Sequence, residues 1–223
     1  MHAQSPGLPV KSREDHPGLP KTGIMADSHG DAGAIEAAAR FLKKLGCGPL
    51  FHLGDICDSL RPETAGPCVE RVRARNIRAV KGNNDHILAL NMKGRLRPGE
   101  PPGVVEYLNA LPQTLTFHHA VFCHSLPFER EMGASAMTGI LGPGEAARFF
   151  KRRPGAILFR GHSHAPGVLF QKDGVVREKS ISQGRETDLK EKIPCVVTCG
   201  ALSQGLCMVW HPGENRLSCH AFA

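Results

Sequence analysis

Seven residues of this chain carry side chains that could hold a metal ion, and each stands just past a short apolar run. They fall in five motifs: Asp27-Ser28-His29, Gly54-Asp55, Gly82-Asn83-Asn84-Asp85, Cys123-His124-Ser125 and Gly161-His162-Ser163-His164. Carboxylates, imidazoles and one amide oxygen suit borderline-hard divalent cations. Strand ends are where an α/β protein builds its site. The set points to two-metal hydrolysis, with a phosphate ester as the expected substrate.

Taken singly, each motif has an ordinary alternative. Asp27 and His29 lie two apart and would share one side of an extended strand, but an Asp near a His also makes a common loop ion pair. Gly54-Asp55 reads equally as a turn. Asn83 suits a left-handed turn position, and His124 a core or turn histidine. Gly161-His162-Ser163-His164 is the most specific local signal, because two histidines flank one small residue just past the apolar run Ala156-Ile157-Leu158-Phe159. Recurrence of strand, turn and ligand is what favours the metal reading.

The elements that must position these residues are legible in outline. Thr22 to Ala26 reads as a buried strand and 33–45 as a helix, with Ile35, Ala38, Ala39, Leu42 and Leu45 at helical spacing. Leu50 to Leu53 is the next strand. A basic helix follows at 63–75, with Pro67 awkwardly inside it. Ile77 to Val80 is the third strand, and this β-α-β-α-β start implies parallel strands with right-handed crossovers. Val104 to Leu111 reads as a helix. Short strands are expected at 114–118, 120–123, 156–160, 167–171, 174–178, 194–198, 206–210 and 216–220, with a hairpin turn at Asp173-Gly174. Residues 92–103 and 125–144 fit no element, and the second stretch is placed as a lid beside the site.

The 223 residues suffice for one sizeable domain. Residues 1–21 are expected to be a flexible tail and 22–223 the domain. The tail lacks the apolar core of a secretory signal, and no apolar run approaches the ~20 residues that cross a bilayer. A cytoplasmic location follows as the expectation. Eight cysteines, at 47, 57, 68, 123, 195, 199, 207 and 219, include no C-x-x-C pair, so a zinc ribbon is not expected. Net charge is +7, which favours anionic partners by steering. The basic residues are scattered, and one Tyr and one Trp make a poor base-stacking platform; nucleic acid is not indicated as a partner.

In order, the motifs D-x-H, G-D, G-N-x-D, a lone His and G-H-x-H resemble the calcineurin-like metallophosphoesterase family, from about Thr22 to about Gly205. The resemblance implies a single-domain α/β fold, a four-layer α-β-β-α sandwich with a di-metal centre between loops at one edge. The short chain and its G-N-x-D motif look most like the small bacterial phosphodiesterase branch. Carried over, Asp27, His29, Asp55 and His164 would hold one metal. Asp55, Asn83, His124 and His162 would hold the other, with Asp55 bridging. Manganese is favoured over iron, nickel or zinc. The implied reaction is hydrolysis of phosphodiesters or activated phosphomonoesters by a metal-bridging hydroxide, acting on a small phosphate-ester substrate. Asn84 and Asp85 take the catalytic places. Many relatives have a histidine at position 84, held by the next acid, so general-acid help is expected to be weak here. Thr198-Cys199-Gly200 departs from the family's usual Asn-Pro-Gly. Two other readings stand beside this one. The first is a catalytically weak or inactive protein-interaction scaffold of the same fold. The second is a nucleotide-lipid pyrophosphatase whose acyl groove would be lined by Met132, Met137, Ile140, Leu141, Phe149 and Phe150.

Overall fold

The computed structural model describes residues 18–93 and 103–222. Residues 1–17 of the expected tail lie outside the described residues, as do 94–102 of the unassigned stretch. The first part of the chain forms β1 (Thr22–Met25), α1 (Ala32–Lys44), β2 (Leu50–His52), α2 (Ala65–Ala74), β3 (Arg78–Ala79) and α3 (Asn83–Met92). Then come α4 (Val104–Ala110), β4 (Thr114–Phe117), β5 (Ala120–Cys123), α5 (Glu129–Met132), α6 (Pro143–Arg152) and β6 (Ile157–Arg160). The last part supplies β7 (Gly167–Lys172), β8 (Val175–Ser180), β9 (Glu186–Asp188), β10 (Cys195–Thr198), β11 (Leu206–His211) and β12 (Arg216–Ala221).

Two six-stranded sheets result, ordered β3-β2-β1-β11-β12-β9 and β4-β5-β6-β10-β7-β8. The runs β3-β2-β1 and β5-β6-β10 are parallel. Their ends therefore lie on one side of each sheet, and all five ligand motifs follow strands of these two runs. Alternation along the strands builds the layers. Ile24 and Phe51 face the second sheet, while Met25 and Leu50 face α1 and α2. Ile157 and Phe159 face the first sheet, and Leu158 faces α6. Helices on one sheet, two sheets face to face and helices on the other make the four-layer α-β-β-α sandwich. Between the sheets, Phe51 stacks on Phe122 at 4.2 Å and Phe122 on Phe159 at 5.4 Å, beside a fully buried Trp210. Each such ring contributes about 1.5–3 kcal/mol on burial.

Local chemistry accounts for the individual elements. Asp31 caps α1 by accepting from the Ala34 N–H at 2.8 Å, and Lys43 and Lys44 sit at its negative end. Asp173 and Gly174 both have positive φ, which gives the tight β7–β8 hairpin the sequence predicts. Pro67 lies in the first turn of α2, which starts at Ala65 rather than 63. Its missing N–H has no partner to lose there.

Four of these elements were not legible: α3, α5, α6 and β9. Helix α3 buries only Asp85, Leu88, Ala89 and Met92 and shows no clean apolar stripe. Helix α6 is amphipathic but opens on Gly142-Pro143-Gly144, which reads as a loop. Strand β9 is short, polar and at a sheet edge. The 125–144 segment is not wholly irregular: α5 and a short turn of 3₁₀ helix at Gly133–Met137 occupy it. Of the residues expected to line an acyl groove, Phe149 and Phe150 are buried in the core beneath α6, and Phe149 also borders a cavity of about 310 Å³ with Val121 and Phe128. Ile140 of that set stands exposed. All eight cysteines are buried and free, as small core residues. No helix among the described residues is long and apolar enough to cross a membrane.

Candidate metal centre

The loop after β1 runs alongside the loop after β2. The Asp27 N–H donates to Gly54 O, that of His29 to Asp55 O and that of Gly30 to Ile56 O. The chains thus stay paired beyond the last strand residues, and Asp27, His29 and Asp55 share one small volume. Five of the seven candidate ligands, Asp27, His29, Asp55, His162 and His164, have φ between 46° and 68°. That conformation costs a non-glycine residue about 1–2 kcal/mol. Its concentration here, against the ordinary preference of these residues, marks a site whose geometry is held by its surroundings.

The side chains converge. Ligand atoms of Asp27, His29 and His164 lie within 4.8 Å of one another, and so do those of Asp27, Asp55 and His124. The Asp55 carboxylate straddles the two groups, with Oδ2 4.0 Å from His29 Nδ1 and Oδ1 3.5 Å from His124 Nε2. Asn83 Oδ1 and His162 Nδ1 stand 3.0 and 3.1 Å from His124 Nε2. His29 and His164 bring their Nε2 atoms to 3.1 Å. All seven residues named from the sequence therefore meet at one place.

Protons decide what this cluster can do. His124 Nδ1 is 2.8 Å from Leu53 O. A carbonyl only accepts, so Nδ1 carries the hydrogen and the neutral ring presents a lone pair at Nε2. That lone pair faces the Asn83 oxygen and the Asp55 carboxylate. With the ring neutral these acceptors face one another, an arrangement that a cation among them would satisfy. The oxygen and nitrogen donors, free of thiolate, suit a divalent ion of the manganese-to-zinc series.

Electrostatics fit the same picture. Burial raises the Asp27 pKa, but the bond to His164 and the nearby imidazoles outweigh it and hold it below the usual carboxylate range. His164 is raised by its bond to Asp27. His162 is lowered by burial and by His124. The His162 N–H also donates to both Asp27 oxygens, at 3.2 and 3.0 Å.

Asn84 and Asp85 have other contacts than the sequence led us to expect. Asn84 donates to Asp55 twice, from its backbone N–H at 2.8 Å and its side-chain amide at 2.7 Å. Its own Oδ1 accepts from Ser59 Oγ at 2.8 Å. Asp85 does not hold residue 84. It is fully buried and accepts from the N–H groups of Cys57 and Gly82, both at 2.9 Å. Burial, then the charge of Asp55, pushes its pKa up. Two clamps thus join the loop after β2 to the start of α3.

Sequence reading missed several supporting groups. His52 is fully buried, and burial pushes its pKa down to about 3. Its Nε2 pairs with Ser28 Oγ at 3.0 Å, which in turn donates to Ile56 O. Arg160 is buried at the end of β6. The one signal in sequence was a charged residue closing an apolar strand, Ile157-Leu158-Phe159-Arg160.

The fold has counterparts among known proteins. Residues 21–199 match the family model described as the calcineurin-like phosphoesterase superfamily domain. A metallophosphoesterase from Sphaerobacter thermophilus superposes with a TM-score of 0.67 at 21% identity, over 91% of this chain and 88% of that one. The protein TT1561 of Thermus thermophilus superposes with a TM-score of 0.51 at 13% identity, over 91% of this chain and 99% of that one. Both likenesses are of fold. No curated protein matches the chain in sequence.

Proposed function

The chain belongs to the calcineurin-like phosphoesterase superfamily, and from that premise we propose that it hydrolyses phosphodiesters or activated phosphomonoesters with two divalent metal ions. Asp27, His29, Asp55 and His164 would hold one ion, and Asp55, Asn83, His124 and His162 the other. When bound, such ions acidify a water for attack on phosphorus and offset charge on the non-bridging oxygens. The observation that carries the proposal is the convergence of lone pairs around His124 Nε2, with Asn83 Oδ1 at 3.0 Å and Asp55 Oδ1 at 3.5 Å.

The protein's own part is to hold these groups still. Leu53 O fixes the His124 ring and its tautomer. The His162 N–H orients Asp27. Asn84 orients Asp55 with two donors, so its amide serves the carboxylate. An amide cannot give up a full proton, so the leaving oxygen departs with little acid help from position 84. Two aspartates against two divalent ions leave a net charge of about +2 by formal count, which suits a phosphate group. Manganese is the ion we favour, since a mixed N/O donor set accepts several metals and availability selects among them.

A panel of phosphodiesters, phosphomonoesters and nucleotides, assayed with manganese, iron, nickel and zinc in turn, tests this. Metal-dependent release from aryl diesters and activated monoesters is expected. Absence of turnover on every phosphate ester with every metal contradicts it.

A further inference from the structure

Arg160 is 3% exposed, and among the described residues it has no carboxylate partner. A buried charge whose hydrogen-bond partners are all neutral is costly, even with the attraction of the Asp27 carboxylate, and an apolar side chain would pack there more cheaply. Its bonds indicate what it does. Strand β6 lies between β5 and β10, with Arg160 in register with Cys123 on one side and Thr198 on the other. From that central place the guanidinium reaches two loops and the end of β10. Nε donates to Ser125 O at 3.1 Å and Nη2 to Ser125 Oγ at 3.2 Å. Nη1 donates to Ser163 Oγ at 2.8 Å and to Thr198 Oγ1 at 3.3 Å. Ser125 passes the brace on by donating its own hydroxyl to Gly139 O.

Ser125 directly follows His124. Ser163 lies between His162 and His164. We infer that Arg160 is a positioning residue that locks the His124 loop to the His162–His164 loop, and so sets the affinity of the second metal site. This rests on the two-metal reading above. Under that assignment both imidazoles of the second site, His124 and His162, come from braced loops. The first site takes only His164 from a braced loop and keeps Asp27, His29 and Asp55, whose loops make no hydrogen bond to the Arg160 side chain. Its loss should therefore be uneven between the two ions. A planar fork is needed to span the loops, and a lysine ammonium of equal charge cannot do it.

The test is calorimetric titration of the metal-free full chain with manganese, alongside a thermal melt. Native protein should take up two ions. Arg160→Gln and Arg160→Lys should keep one tight ion and bind the other about 10–100-fold more weakly, the usual cost of losing a group that orients a ligand. Val69→Ala, a truncation in the core beneath α2 away from these loops, should lower the melting temperature yet keep both ions. That comparison separates positioning from general destabilisation. Native protein taking up fewer than two ions overturns the metal reading and this inference with it. Native protein taking up two, with both Arg160 variants matching it, overturns this inference alone. So does Arg160→Lys matching the native protein while Arg160→Gln does not, because charge and not the fork would then be the cause. Tighter binding by Arg160→Gln overturns it as well, since relief of repulsion would then outweigh bracing.

Discussion

At the scale of the residue, the candidate ligands stand out in the sequence only through recurrence, because each motif alone has an ordinary alternative while strand, turn and candidate ligand repeat along the chain. Their partners do not stand out. That Asn84 serves Asp55, and that Asp85 pins Cys57 and Gly82, depends on contacts across 25 or more positions for two of the clamps. The bridging place of Asp55 leads to a first prediction. Asp55→Asn should abolish turnover and weaken both ions. The metal-free fold should lose only about 1 kcal/mol, because the new amide nitrogen cannot accept from Asn84. Urea unfolding together with a turnover assay checks both halves. A second prediction follows from the amide at position 84. Across a series of aryl and alkyl phosphodiesters, native rates should fall steeply as the leaving group becomes less acidic. Asn84→His should flatten that dependence, since a general acid is typically worth ~10²–10⁴-fold where proton transfer limits. A flat series in the native protein would sink the argument.

A third prediction at this scale concerns His52, whose ordinary pKa of 6.5 is pushed down to about 3 by burial. Below pH 6.5 the unfolded chain takes up a proton that the fold refuses. Stability of the metal-free protein should therefore fall as pH drops from about 6.5 towards 3, by at most roughly 1.4 kcal/mol per unit from this group. His52→Asn should lessen that slope in urea titrations at pH 7, 5 and 4. An unchanged slope would show that His52 does not carry it.

At the scale of the element, the strands other than β9 were legible as short runs bounded by turn signals, and α1 because its apolar stripe is regular. Helices α3 and α6 escaped because one lacks a stripe and the other begins like a loop. The site depends on α3 all the same, since its first residues are Asn83, Asn84 and Asp85. Gly82, just before it, must let that turn close on β2. A Cβ on Gly82 would stand 2.1 Å from Asp55 N and 2.2 Å from Asp55 Oδ1. Gly82→Ala should cost about 1–3 kcal/mol of overpacking and displace Asp55 enough to weaken metal uptake. A methyl group added at Gly144, inside α6, would meet nothing within 4 Å. Gly144→Ala should be neutral or stabilising by up to about 1 kcal/mol. Thermal melts of the pair check the contrast; equal effects would mean the close approach at Gly82 is not limiting.

At the scale of the whole molecule, the sandwich explains why ligands from distant stretches of the chain can meet. Two parallel runs of strands, one in each sheet, end on the same side, and the stacked Phe51, Phe122 and Phe159 with Trp210 fix the sheets against each other. The layer arrangement was legible only through the family resemblance. Local patterns gave strands but not which sheet each would join. β9 and the β10–β6 parallel pairing rest on contacts that no local pattern encodes. The central claim is that the loops of both sheets together make one two-metal hydrolytic site. Hydrolysis of bis-(4-nitrophenyl) phosphate by the metal-free full chain, titrated with manganese at protein concentrations above the binding constants, tests it most directly. The account predicts no turnover without metal and a rate that rises until two ions are bound per chain, then stops rising. A full rate in the absence of metal, or a plateau at one ion per chain, would contradict it.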